Sequence, residues 1–288
     1  MRRFPKLLGA PVVVVAMLAI TTGMAAGPAS AISQSNSNPN NYLALGDSVS
    51  FGYNPLLVAP GVSPTVFVGF PQLASDLFRP RLKVFNASCP GETSTSLITG
   101  SRPDNGCQDY RQYIGALHVA YSGSQLSYAE SYVKANPRTG RITMMIGAND
   151  LFLLSDSCAS SPNPDACVFA GLPALLTTLG NNLATIYTAL DQAGFNGTFV
   201  AVTYYSTNYS NPFITGAIGA VNNTLATVTR AFGGERADGF GEFQAAATPY
   251  GGDSCAAGLL IRLTPTTCDV HPTQAGAALL ADAVLHAS

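Results

Sequence analysis

The stretch Leu43–Tyr53, LALGDSVSFGY, begins as an apolar run and breaks off at Gly46-Asp47-Ser48. A short apolar run ended by glycine reads as a buried strand. The small residues after it can make no more than a turn. They also leave room for an exposed, reactive hydroxyl. The rest of the chain has to decide between these readings.

Working outward, the chain alternates short apolar runs with helical patterns. Tyr42–Leu45 reads as the first strand, Gly69–Phe78 as a helix with Pro71 near its start and Pro80 after its end, and Leu82–Phe85 as the second strand. Residues 102–122 are irregular, and Ser124–Ala135 reads as a helix stopped by Asn136-Pro137. Arg141–Ile146 is a third strand, and the Ser/Pro-rich segment Cys158–Cys167 reads as a surface loop. A long helix over Leu172–Ala193 closes at Gly194. Then come a fourth strand over Thr198–Tyr204, a helix over Ile214–Phe232, a short fifth strand within Ala237–Phe243 and a last helix over Thr273–His286. Strands alternating with helices imply a largely parallel five-stranded sheet with helices on both faces, an α/β class. No internal repeat or linker divides residues 42–288, so they read as one domain.

The N-terminus carries Arg2, Arg3 and Lys6, an apolar run over Leu7–Ile20, and Ala29-Ser30-Ala31. A basic start, an apolar centre and an A-x-A close describe a secretory signal peptide over residues 1–31, and an exported, extracellular product. Residues 32–41 are polar and Pro-containing, a disordered lead-in. No later stretch reads as long and apolar enough to cross a bilayer, so no stable membrane insertion is expected. Removing three basic residues takes the net charge from −2 to about −5, which disfavours nucleic acid as a partner. Hydrophobic residues make up 47% and charged ones 10%, enough for one sizeable core. A monomer is expected.

Six cysteines, Cys89, Cys107, Cys158, Cys167, Cys255 and Cys268, fall in three close pairs. An even count in an exported chain implies disulfides. Sequential pairing is the simplest reading, although 15 connectivities are open. No C-x-x-C is present, and no metal site is expected.

Three polar, small-residue clusters follow strands: GDSVS, NASCPGETS and GAND. In open parallel sheets, ligands bind outside the carboxyl ends of the strands. A serine becomes a nucleophile when a base takes its proton. Of the three histidines, His118 reads as structural and His286 as solvated, while His271 stands before Pro272 and the last helix. His271 is the candidate base. Oxyanion donors are also needed; the N–H groups of Ser48 and Gly91 and the side-chain amide of Asn149 are the candidates. Taken singly, Ser48, Gly91 and Asn149 can be a turn serine, a turn glycine and an N-cap. The aromatic run Thr203–Tyr209 can line a substrate pocket or simply end a buried strand.

GDSVS, NASCPGETS, GAND and DVHP, in this order, resemble the four signature blocks of the SGNH, or GDSL, hydrolase family. The three cysteine pairs are similar to those of its secreted actinobacterial lipases and esterases, where such pairs are bridged sequentially. The resemblance implies a flavodoxin-like three-layer α/β/α fold and ester hydrolysis through an acyl-enzyme, without a cofactor. Ser48 would attack, His271 would act as base, and Ser48, Gly91 and Asn149 would form the oxyanion hole. A small-molecule, lipid or glycan ester would be the substrate, and a carbohydrate O-acetylesterase or a non-catalytic binding protein would use the same scaffold. One departure stands out: the family's aspartate lies three residues before the histidine, where this chain has Cys268. Either Asp269, two residues before, or the carbonyl of Cys268 is left to orient His271.

Overall fold

In the computed structural model, residues 41–288 are described. The expected signal peptide and residues 32–40 of the lead-in lie outside them. Asn41, read as lead-in, is the first residue of β1 (Asn41–Gly46). Tyr42, Leu43 and Leu45 are wholly buried there, each contributing about 1.5–3 kcal/mol of burial. A strand sealed on both faces is why the run is continuously apolar rather than alternating.

The chain continues through α1 (Ser48–Phe51), α2 (Phe70–Leu77), β2 (Lys83–Asn86), α3 (Ser94–Thr99) and the short α4 (Cys107–Asp109), which runs on as a π-helical turn over Tyr110–Ile114. Next come α5 (Gln125–Ala135), β3 (Thr139–Met145), α6 (Ala148–Cys158), α7 (Pro164–Gln192), β4 (Thr198–Val202) and α8 (Pro212–Ala231). The remaining elements are β5 (Glu235–Ala237), α9 (Gly239–Ala247), β6 (Leu260–Arg262), β7 (Cys268–Pro272) and α10 (Gln274–Leu285). β1 to β5 form a parallel sheet in the order β2-β1-β3-β4-β5. Helices α2, α9 and α10 pack together, and α7 packs with α3, α5, α6 and α8. This is the expected five-stranded parallel α/β architecture, in flavodoxin-like order. From β1 the chain goes first to one neighbour and later to the other. The carboxyl end of β1 is therefore the switch point of the sheet, where ligands bind.

Three readings need correction, and one further element comes only from the structure. The fifth strand is Glu235–Ala237, and residues 239–247 are helical, because Asp238 caps α9 by accepting from Gly241 N–H at 3.2 Å. The surface loop between Cys158 and Cys167 is confined to residues 159–163: Asn163 accepts from Ala166 N–H at 3.1 Å and Pro164 stands in the first turn, so α7 starts eight residues early. β6 and β7 form an antiparallel hairpin that the chain's strand patterns do not announce. Finally, α7 has 29 residues and a window of mean hydropathy 1.3, long and apolar enough to cross a membrane by length and composition. Here its Leu179, Leu183, Ile186, Tyr187 and Leu190 are buried in the core.

Three disulfides join Cys89 to Cys107, Cys158 to Cys167 and Cys255 to Cys268. The first ties the loop after β2 to α4, the second staples α6 to α7, and the third fastens β7.

Candidate active site

The break after Leu45 has a steric cause. Gly46 has φ of 130°, and a side chain there would meet the Met145 carbonyl of β3 at 2.2 Å. Gln125 of α5 grips the same residue, accepting from Gly46 N–H at 2.6 Å and donating to its carbonyl at 3.0 Å. Asp47 then caps α1, its Oδ1 accepting from Val49 N–H at 3.0 Å. The Tyr204 hydroxyl donates to Asp47 Oδ2 at 2.5 Å. Burial pushes the Asp47 carboxyl up to about 6 in spite of these hydrogen bonds. Ser48 thus begins α1. Its backbone N–H has no protein acceptor among the described residues.

Gly91 follows β2. Its φ of 82° suits glycine, and a side chain would strike the Asn105 carbonyl at 2.3 Å. Asn105 N–H donates to the Gly91 carbonyl at 2.8 Å, whereas Gly91 N–H donates to nothing in the protein among the described residues. Asn149 is not an N-cap, since Gly147 occupies that position. Its side chain is buried and held on three sides. Asn105 Nδ2 donates to Asn149 Oδ1 at 2.8 Å, and Asn149 Nδ2 donates to the Glu92 carbonyl at 2.9 Å, with Asp47 Oδ2 at 3.4 Å. The Glu92 carboxyl, buried and raised to about 7 by desolvation, accepts from Ser96 Oγ at 2.5 Å and Gln125 Nε2 at 3.0 Å. Asp150 accepts from Ser94 N–H at 2.9 Å and Ser94 Oγ at 2.6 Å. Sequence reasoning missed Asn105, Glu92, Gln125 and Asp150, and the bond from Tyr204 to Asp47. Glu92 and Asp150 stand inside the quoted blocks and Tyr204 inside the aromatic run, while Asn105 and Gln125 carry no local signal.

His271 lies on β7. In an extended strand, residues two apart share a face, so Asp269 faces the same way as His271 and its Oδ1 contacts His271 Nδ1. Asp269 Oδ1 also accepts from His271 N–H at 3.0 Å. Burial alone would raise the Asp269 carboxyl; the hydrogen bonds from the His271 ring and backbone outweigh it and hold the group below its ordinary value. The one-residue shift from D-x-x-H to D-x-H is thus accommodated by strand geometry. The Cys255–Cys268 bridge fastens the start of this strand, and the Tyr53 ring lies 4.8 Å from the imidazole, centroid to centroid. Of the other histidines, His118 bonds the Phe51 carbonyl at 2.9 Å, and His286 is exposed.

Two cavities meet at Ser48, Asn149, Phe152, Val270 and His271. The first, about 330 Å³, runs between α6 and α8 and is apolar apart from Asp47, Ser155, Thr207 and the residues at the junction. Tyr204 and Tyr205 from the aromatic run line it. Their hydroxyls are occupied, by Asp47 and by the Val270 carbonyl at 2.6 Å. The second, about 300 Å³, is bounded by Gly91, Asn105, Asp109, Tyr53 and Tyr110. The arrangement brings a serine, a histidine–carboxylate pair and two unengaged backbone N–H groups around one point. Those are the elements acyl transfer uses.

The parallel sheet and these strand-end groups are those of an SGNH-type hydrolase. A family model described as GDSL-like lipase/acylhydrolase matches residues 44–279. The chain belongs to that family and is an ester-hydrolysing enzyme. No curated protein matches it. Among solved structures, it is similar to an extracellular lipase from Streptomyces rimosus, with 17% identity, 86% of this chain and 100% of that one covered, and a TM-score of 0.57. It is also similar to phospholipase A1 from Streptomyces albidoflavus, with 18% identity, coverages of 87% and 100%, and a TM-score of 0.56. An acetylxylan esterase from Geobacillus stearothermophilus matches with 15% identity, coverages of 87% and 94%, and a TM-score of 0.53. At these identities the likeness is one of fold.

Proposed function

We propose that this protein is an exported serine carboxylesterase or lipase that cleaves esters of apolar acyl chains, with Ser48 as nucleophile. The observation that carries the reading is the apolar cavity of about 330 Å³ opening beside Ser48, with His271 and Asp269 paired at its mouth. Small-molecule sites of this kind start at roughly 300 Å³, far more room than an acetyl group requires. Oxidised cysteines support export, since disulfides persist in oxidising compartments.

In this mechanism Ser48 Oγ bonds to the acyl carbon as its proton passes to His271 Nε2. The carbonyl oxygen becomes an oxyanion held by Ser48 N–H, Gly91 N–H and Asn149 Nδ2. The bond to the alcohol oxygen then breaks, and that oxygen takes the proton from His271. A water, deprotonated in turn by His271, adds to the acyl carbon; the bond to Ser48 Oγ then breaks, Oγ takes back the proton from His271, and the acid is released. Asp269 fixes the imidazole's tautomer and supports its charge. No hydrogen bond joins Ser48 Oγ to His271 among the described residues. Such contacts often tighten only with substrate bound.

The test is hydrolysis of p-nitrophenyl esters from acetate to palmitate by the protein and its Ser48→Ala variant. Ser48-dependent turnover with an optimum beyond acetate is expected. An acetate optimum would favour the acetylesterase. No turnover by folded, disulfide-bonded protein would favour a binding role.

A further inference from the structure

The two cavities that meet at Ser48 differ in what their walls offer. In the acyl cavity both tyrosine hydroxyls are spent within the protein, Tyr204 on Asp47 and Tyr205 on the Val270 carbonyl. The substrate meets ring faces there. In the second cavity hydrogen-bonding capacity is left open. Among the described residues the Tyr53 hydroxyl has no partner, and the buried Tyr110 hydroxyl has none either. Asn105 spends its Nδ2 on Asn149 and leaves its Oδ1 open. Asp109 binds Arg102 through Oδ1 at 2.6 Å, leaving Oδ2 free. Burial raises both tyrosines above their ordinary value, Tyr110 to about 12, so they remain donors.

An ester has two halves, and the apolar cavity suits the acyl one. The leaving alcohol then occupies the second cavity, beside His271, which returns its proton. We propose that this cavity is a binding site for a polyol alcohol, glycerol or a sugar. Its hydroxyls would be held by Tyr53, Asn105 and Asp109, and the enzyme would cleave acyl polyols in preference to acyl esters of simple alcohols. A hydrocarbon alcohol would leave these groups without partners, and a site built for a hydroxyl discriminates against ligands that lack it. The inference rests on the ester-hydrolase reading above.

The experiment compares kcat/KM for ethyl octanoate, monooctanoylglycerol and octanoyl glucose, in the wild type and in Tyr53→Phe and Asp109→Asn. A polyol ester should exceed the ethyl ester by about tenfold, the worth of one or two hydrogen bonds, and each variant should lower that ratio by roughly fivefold. Whichever polyol ester leads names the polyol. Turnover of ethyl octanoate with no preference, or a preference that both variants leave intact, overturns the polyol site alone. Absence of turnover on all three esters overturns it together with the ester-hydrolase reading.

Discussion

Asn105 donates its side-chain amide to the side-chain carbonyl of Asn149 at 2.8 Å, across 44 residues of sequence. That contact decides which way the Asn149 amide faces. It points Nδ2 away from Asn105, with one proton on the Glu92 carbonyl at 2.9 Å. The other proton has only Asp47 Oδ2 at 3.4 Å, beyond the 2.7–3.2 Å of an ordinary N–H···O bond. That second proton is the one free for an oxyanion. Asn149→Ala should lower kcat about 10²–10³-fold, as loss of an oxyanion donor does. Asn105→Ala, which removes the orienting contact, should lower it about tenfold on a p-nitrophenyl ester, whose leaving group has no polyol hydroxyls for Asn105 to hold, with KM little changed. Steady-state kinetics on one p-nitrophenyl ester decides; a normal kcat in Asn149→Ala would take that side chain out of the site.

The Asp269–His271 pair bears on the same reaction from the other side. If Asp269 orients the imidazole, Asp269→Asn should cost kcat about 10⁴-fold, by supporting the wrong tautomer, while the fold stays intact. A loss of less than tenfold would return the orienting role to the Cys268 carbonyl. Because Asp269 is held below its ordinary value, the stability it contributes is present above that value. It is lost as pH falls through the lower, folded one.

How much of this was legible beforehand follows from where the signals sit. β1 and β3 announce themselves through short, continuous apolar runs and the helices α8 and α10 through longer helical patterns, and GDSVS, NASCPGETS, GAND and DVHP mark the ends of elements. What escaped depends on contacts distant in sequence. Gln125 lies 79 residues from the Gly46 it holds, and Tyr204 lies 157 from Asp47; no local period encodes such pairs. The misplaced β5 is a cap effect, since Asp238 starts a helix in the Gly-containing segment that reads as a strand. That Asp269 can reach His271 from a D-x-H spacing shows only once the two residues share a strand face. β7 is too short, and too dependent on its hairpin partner, to be read from its own residues.

Buried acids give a pH signature in stability. Asp47 and Glu92 are raised by burial to about 6 and about 7. For a carboxyl raised on folding, the native state binds more protons than the unfolded chain between the two values, so stability falls as pH rises through that window. Their contribution is therefore full below about pH 4 and gone above about pH 7. Glu92→Gln removes one of the two titrations and keeps a hydrogen-bonding side chain beside Ser96 and Gln125. The fall in Tm between about pH 5 and pH 7.5 should be smaller in Glu92→Gln than in the wild type. Equal slopes in calorimetry would mean that Glu92 is already ionised in the folded protein.

The Cys255–Cys268 bridge closes a separation of 13 residues around the hairpin that carries His271. A loop of this size is worth about 3 kcal/mol in the chain-entropy picture. Replacing both cysteines by serine should lower stability by about that amount and kcat as well, because β7 loses its anchor. The matching change at Cys158 and Cys167, a separation of nine at the tip of α6 and α7, should lower stability with a smaller effect on kcat. Denaturant melts and kinetics on both double variants separate the cases. Equal kinetic losses would remove the special place given to the hairpin.

The far end of the acyl cavity should set the chain length. α6 leads away from the sheet, from Asn149 to Ser155, and both residues line the cavity. On α8, Asn222 bonds the backbone of Tyr204 at the sheet, and Phe213 lies nine residues earlier in the helix. At 1.5 Å per residue that is about 13 Å farther out. Phe213 lines the cavity there and meets Phe169 of α7 edge to face at 5.2 Å. Phe213, backed by the Phe169 ring, forms an end wall on which an acyl chain would terminate. Phe213→Ala should move the optimum of the p-nitrophenyl ester series to longer chains. Ala217→Phe, one helical turn nearer the sheet on the same cavity face, should move it towards acetate. Opposite shifts in the two variants would fix the direction in which the chain runs from Ser48. A shared optimum in both, with activity retained, would mean that the acyl chain leaves Ser48 by the other cavity.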